Sequence, residues 1–265
     1  MQRNVRTGIT VAVVTIACAL GFAPSAIAAV PTSVTVGATA SYEASGAGVL
    51  VPVTVTCERG AQINFTTLSL TQRIPHSSLI NHASGDSSSP LCSGSAQRIY
   101  ALFSSDAATA LRSGSAAVQV GVYTCSPTNC GRDLQRVSRV VQVKRIDFAS
   151  EAVHTPHLDV NLSTTAAIVA RGAGIRVSAT MRCTGTATGN AYATVRQLNV
   201  DGVQAQSTDG PVVACDGQYH RVRMIVPAAN RVWHRGQALV SVHFGACFPT
   251  RVCGDVLGAD TVNVV

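Results

Sequence analysis

The sequence predicts an all-β protein: two tandem β-sandwiches of short strands behind an N-terminal export signal. Three observations carry this. Apolar and polar residues alternate over short runs along nearly the whole chain, with almost no helical periodicity. A unit of about 120 residues is written twice. Eight of the nine cysteines fall at matched positions in the two copies.

The leader comes first. Arg3 and Arg6 give a positive start, Gly8–Ala23 is apolar, and Ala26-Ile27-Ala28 is a small-residue cleavage site, so residues 1–28 read as a signal peptide. The apolar core is shorter than the roughly 20 residues a membrane span needs. Cys18 lies inside that core, not just after it, behind Thr15-Ile16-Ala17, which lacks the branched apolar residue three positions ahead of a lipid-bearing cysteine. The expectation is a secreted chain with no membrane span after cleavage. The formal net charge is +7, about +5 once the two leader arginines are gone, and cationic residues never run beyond two together. Aromatics do not interleave with them as nucleic-acid grooves require, so no nucleic acid is expected as a partner. Lys144 is the only lysine beside 19 arginines, a bias that fits a GC-rich genome.

In the first unit, residues 29–145, Val34 and Val36 begin the alternation. Ala47–Cys57 continues it with Val51, Val53 and Val55 on one face, and Pro52 within it suggests an edge or a bulge. Gln62–Ile74 is the next strand, followed by a polar connection, Pro75–Pro90, whose serine-rich end reads as a mobile loop. Gln97–Ser104, Ala116–Cys125 and Arg136–Val143 complete the unit. In the second, residues 146–265, the strands are His157–Val160, Ala166–Val169, Ile175–Cys183, Tyr192–Val200, Tyr219–Val226, Ala238–Ala246 and Val256–Val265. Asp201-Gly202 and Asp209-Gly210 are turn signals. About seven short strands per unit predict two tandem immunoglobulin-like β-sandwiches after the signal peptide.

The repeat extends to detail. Cys92-Ser-Gly94-Ser-Ala-Gln-Arg98-Ile99 lies over Cys215-Asp-Gly217-Gln-Tyr-His-Arg221-Val222, and Gly114–Val120 lies over Gly236–Val242. The gaps between cysteines are 34, 32 and 4 residues in the first unit and 31, 31 and 5 in the second. In an oxidising compartment an even set of cysteines implies disulfides. The favoured plan joins Cys125 to Cys130 and Cys247 to Cys253 as local bridges, leaving Cys57 with Cys92 and Cys183 with Cys215. The alternative joins Cys57 to Cys125 and leaves Cys92 with Cys130. Zinc is disfavoured because these exported cysteines contain no CxxC pair.

Candidate chemistry is thin. Gly85-Asp86-Ser87-Ser88-Ser89-Pro90 looks like the GDSGGP nucleophile loop of trypsin-like proteases, but two glycines are serines and the second unit lacks it. A solvated serine-rich loop is the better reading. A triad needs a histidine held by a buried acid. Before Ser87 the mature chain offers only His76 and His82 with Glu43, Glu58 and Asp86, without room for the whole barrel that carries them in that family. His154 and His157 flank Pro156, which prevents a helix from placing both on one face, so no metal site is expected. His220, His234 and His243 lie on or beside second-unit strands and would form a pH-sensitive patch only if they converge; scattered exposed side chains are the expectation. Arg98 and Arg221 share one repeat position. They are candidate ligand contacts, or strand arginines packing their stems on the sheet.

The pattern C-x-G-x-x-[QH]-R-[IV], then G-x-A-x-[VA], a Cys-loop-Cys and a terminal V-x-V resembles the secreted immunoglobulin-like domains of unknown function common in actinobacteria. The resemblance covers both units and implies a fold and a disulfide plan; it transfers no catalytic residue. Thr124-Cys125-x4-Cys130 also resembles the late hairpin of neocarzinostatin-type apoproteins, which hold an apolar chromophore. The expected function is therefore non-enzymatic: a binding or cell-envelope interaction module with an unidentified protein or cell-wall partner and no cofactor. The alternative is a small-ligand carrier or a protease inhibitor presenting a loop such as Ser126–Asn129.

Overall fold

The computed structural model describes residues 32–265, except 75–76, 106–108, 127–128, 131–133, 146–157, 187, 200–201, 230 and 248–252. The leader, His154 and His157, and the tip of the Ser126–Asn129 loop lie outside the described residues. The described chain is all-β, with no α-helix among its elements. None of its helical segments is long and apolar enough to cross a membrane.

The first half contains β1 (Ser33–Val36), β2 (Thr39–Glu43), β3 (Gly48–Thr56), β4 (Gln62–Arg73), β5 (Ile80–Ser87), β6 (Gln97–Ser105), β7 (Gly114–Ser126), β8 (Asn129–Cys130) and β9 (Gln135–Lys144). The second contains β10 (Leu158–Leu162), β11 (Thr165–Val169), β12 (Gly174–Cys183), β13 (Thr188–Asn199), β14 (Gly202–Asp209), β15 (Val213–Ala214), β16 (His220–Pro227), β17 (Gly236–Cys247) and β18 (Cys253–Val264). In β7, Ala116, Val118 and Val120 are buried while Ser115, Ala117 and Gln119 face out, the period of two that an alternating sequence dictates. The valines of β3 and β7 meet Ile63, Leu70 and Phe103 in one core. Ile175, Val177, Met181, Val240, Val242, Phe244 and the sole tryptophan, Trp233, form the equivalent core of the second half.

The two halves share their ladders. β2 runs antiparallel to β3 and parallel to β9, and β11 does the same with β12 and β18, so each crosses from one sheet edge to another. Each then turns through the same left-handed step, Ala44-Ser45-Gly46 and Ala170-Arg171-Gly172, with φ between 44° and 98° throughout. A buried glutamine braces both halves identically. Gln72 donates to Arg112 O at 2.7 Å and accepts from Arg112 N at 2.9 Å; Gln197 donates to His234 O at 2.8 Å and accepts from His234 N at 3.0 Å.

Two features depart from the expectations. Pro52 is buried in the middle of β3, not at an edge or bulge. It sits between the stretch of β3 that pairs with β2 and the stretch that pairs with β1, so no neighbouring carbonyl needs the N–H that proline lacks; its own oxygen accepts from Gly37 N at 2.8 Å. The serine-rich stretch is also no loop. β5 pairs with β4 through Ile80–Ser84 and with β6 through Ala83–Ser87, and because β6 also pairs with β3, seven strands of the first half close into a barrel. Gly85 permits the crossing: a Cβ there would sit 2.4 Å from Leu68 Cβ and 3.0 Å from the Phe103 ring. Among the described residues of the second half β14 and β16 share no ladder, and that sheet stays open. Gly85→Ala is expected to lower stability by about 1–3 kcal/mol through overpacking, read as a fall in the urea midpoint; an unchanged midpoint would mean that β5 does not need this close approach.

Cys57 is bonded to Cys92, Cys183 to Cys215 and Cys247 to Cys253. Cys125 is also disulfide-bonded and lies opposite Cys130 in the β7–β8 ladder.

Candidate functional site at the seam between the halves

A third apolar cluster joins the halves. Ala44, Ala47, Leu50, Tyr100 and Leu102 of the first half pack against Leu239 and Leu257 of the second. Leu50 and Pro52 on β3, with Tyr100 and Leu102 on β6, lie on the outward face of that sheet, because Val49, Val51, Ile99 and Phe103 between them point into the first core. The opposing surface is the outward face of β13, β17 and β18. The left-handed turn of the first half reaches the same surface, where Ala44 N donates to Thr261 Oγ1 at 3.0 Å and Thr261 Oγ1 donates to Glu43 at 2.6 Å.

Beside this apolar contact lies an ionic one. His243 on β17 stands opposite Tyr192 on β13, so both side chains emerge on one face; the rings stack at 4.5 Å and 5°. Its Nε2 donates to Asp86 Oδ2 at 2.7 Å and its Nδ1 to Asp255 Oδ2 at 3.2 Å. Asp86 is the penultimate residue of β5 in the first half, while Asp255 lies on β18, opposite Gly245. The free edge of β18 is then taken up by the serine run. Ser89 N donates to Asp255 Oδ1 at 3.0 Å, Asp255 N to Ser89 O at 3.3 Å, and Leu257 N to Ser88 Oγ at 2.6 Å.

The electrostatics follow from this geometry. Only 6% of the His243 side chain is exposed, against 43% for Asp86 and 29% for Asp255. Burial alone would lower the imidazole pKa, but hydrogen bonds to Asp255 and Asp86, reinforced by their charges, overcome it and raise the value to about 9. Burial would raise Asp86, but the His243 hydrogen bond and charge outweigh it and hold the carboxyl below its ordinary range. Tyr192 is pushed up to about 12 by burial and by the two carboxylates. At neutral pH the site is therefore an imidazolium between two carboxylates, stacked on a phenol ring.

Such a histidine has no lone pair to offer as a base. Ser87 is buried and its Oγ donates to Tyr100 O at 3.2 Å, which ties the hydroxyl to its own barrel. Along the seam runs a cleft of about 510 Å3, lined by Gln62, Asp86, Asn190, Tyr192, His243 and Asp255 together with the Cys247–Cys253 bridge. Tyr192 is 40% exposed.

His220, His234 and His243 keep separate partners, and they are not uniformly exposed. His243 is 5% exposed and clasped; His220 Nε2 lies 2.8 Å from Asp216; His234 braces Gln197 through its backbone. In the sequence Asp86 shows only as a member of the serine-rich stretch, and Asp255 not at all. The available signal was the departure of His243 from its repeat partner Gly121 on an otherwise apolar strand. Arg98 and Arg221 occupy equivalent register positions, opposite Thr54 and Thr180. The Arg98 guanidinium lies 5.8 Å from the centre of the Tyr100 ring, and Arg221 borders a shallow pocket with Arg176 and Arg223. Among the described residues no group of three or more His, Cys, Asp or Glu side chains is arranged to hold a metal ion.

No family model matches the chain, and no curated protein matches it. Among solved structures it is similar to red sea bream transglutaminase, at 12% identity and a TM-score of 0.24, over 89% of this chain. The chain spans 31% of that transglutaminase's length.

Proposed function

We propose that the protein is an exported, non-catalytic binding module of the cell envelope, made of two immunoglobulin-like units, the first closed into a barrel, locked in one orientation. The observation that carries this reading is the use of His243: both ring nitrogens are engaged by carboxylates, one from each half. The group best suited to acid–base work is thereby a clasp. The strand that switches sheets in each half supports the immunoglobulin-like assignment, and the disulfides support an oxidising compartment.

The test is retention of the purified mature protein on washed envelope fractions, with a pull-down from envelope and culture medium to recover the partner. Absence of retention together with an empty pull-down would overturn the proposal. Ser87→Ala serves as the catalytic control. The native protein is expected to show no labelling by a fluorophosphonate probe; labelling that disappears in Ser87→Ala would make it a hydrolase.

A second reading, a carrier of a small polar ligand, rests on the seam cleft with its half-exposed Tyr192. A compound that co-purifies and is lost on Tyr192→Ala would favour it.

A further inference from the structure

The same outward sheet face has opposite character in the two halves. In the first half it carries Leu50 and Pro52 on β3 with Tyr100 and Leu102 on β6, and the second half covers Leu50, Tyr100 and Leu102. The matching registers place Arg176 and Ser178 on β12, and Arg223 and Ile225 on β16, at those four positions. Arg221 stands beside them opposite Thr180, and Tyr219 precedes it, 51% exposed. Arg176, Arg221 and Arg223 are all exposed.

They surround a shallow pocket of about 230 Å3 bordered by Ser163, Thr165, Ser178 and Val265, whose carbonyl oxygen accepts from Ile168 N at 3.0 Å. The register places Arg223 two residues from Arg221 on β16 and diagonally across from Arg176 on β12, backbone spacings of about 7 Å, with Arg176 and Arg221 at the two ends of the row. None of these three guanidinia has a carboxylate partner among the described residues. The nearby Asp159 is buried and engaged by Tyr219 and Arg182, with the Arg182 guanidinium 5.0 Å from the centre of the Tyr219 ring. Like charges on adjacent strands repel, so the fold gains nothing from gathering them. An anionic ligand does.

Building on the envelope-binding reading, we propose that the β12–β16 face of the second half binds an anionic glycan, its phosphate or carboxylate groups paired by Arg176, Arg221 and Arg223 and a sugar ring resting against Tyr219. Guanidinium forks match both anions, and a shallow hydroxyl-lined surface suits an extended polymer. The shared chemistry is the anion on a sugar or polyol chain; the source is set by experiment.

The test titrates the full mature protein with poly(glycerol phosphate), with polygalacturonate and with neutral dextran, by isothermal calorimetry. Binding to one or both anionic polymers and not to dextran is expected, and the polymer preferred identifies the anion. Arg176→Gln with Arg221→Gln and Arg223→Gln should weaken binding about tenfold or more. Arg136→Gln with Arg235→Gln, two exposed arginines elsewhere, should leave it unchanged. Circular dichroism checks that both variants fold. No binding to either anionic polymer, equal binding by the triple variant, or an equal loss in the control pair would overturn the assignment. Retention of the triple variant on washed envelopes at the native level would remove this face while leaving the envelope-binding reading intact. Loss of all retention by the native protein would remove that reading itself.

Discussion

Replacing His243 with alanine is expected to lower stability by about 3 kcal/mol at pH 6 and to abolish its pH dependence between about 6.5 and 9. The sign follows from the folded pKa, which lies near 9 against an ordinary 6.5. A group raised on folding contributes fully below its unfolded value and loses that contribution as pH rises to the folded one. The native protein should therefore weaken steadily from about pH 6.5 and lose the contribution above about 9. In acid the other partner acts: Asp86 is held below its ordinary 3.8, so its share disappears as pH falls through that lower value. The alanine variant also leaves Asp86 and Asp255 facing each other. Their exposures of 43% and 29% let water relieve the repulsion, which keeps the loss below that of a fully buried broken pair. Urea unfolding at a series of pH values reads the effect. A flat native profile above pH 6.5, or a variant that keeps the native slope, would remove the imidazolium clasp. Asp86→Asn should give an intermediate result, since an amide oxygen still accepts from Nε2 but no longer stabilises its charge.

The second large effect concerns the Cys57–Cys92 bridge, whose partners are 35 residues apart and almost wholly buried. Replacing both with alanine frees that loop in the unfolded chain and is expected to cost about 3–4 kcal/mol. The informative readout is Trp233. It is the only tryptophan and lies in the second core, so its fluorescence reports that half alone. If the seam couples the halves, the Trp233 transition will shift to lower urea together with the far-ultraviolet signal, although the lesion lies in the other half. A Trp233 transition that stays in place while the circular dichroism separates into two steps would show that the halves unfold independently.

The strands legible in the sequence were those with one face buried and one wet. β7 and β12 alternate cleanly, and their bounds follow the alternation; β17 shows as an apolar run instead, because the seam covers its outward face as well. β5 was missed because Ile80-Asn-His-Ala-Ser-Gly-Asp-Ser87 has no apolar stripe. Its inward positions are Asn81, whose amide donates to Thr109 O at 2.8 Å, and the small Ala83. A strand that closes a barrel with small and polar side chains looks like a loop in one dimension. β14 was hidden for a similar reason, lying between two Asp-Gly signals that mark its ends. The clasp was less legible still. His243 and Asp255 are 12 residues apart across a hairpin, but Asp86 is 157 residues away, and only packing of one half on the other brings it near. Histidine on an apolar strand indicates an unusual position without naming the partner. The outward residues of the duplicated strands held more: Leu50 against Arg176 and Tyr100 against Arg223 are visible once the copies are aligned, and their divergence marks which face is covered.

The join at the seam relates unlike surfaces, a head on a tail, so no twofold axis relates the repeats. Assemblies built from such contacts close into rings where the rotation allows and otherwise run on as open fibres. Had the second copy kept the oily quartet of the first, each molecule would offer the next a landing place. Guanidinium groups at Arg176 and Arg223 stand instead where the first copy has Leu50 and Tyr100, so the outward face of the second copy lacks the apolar surface on which the seam is built.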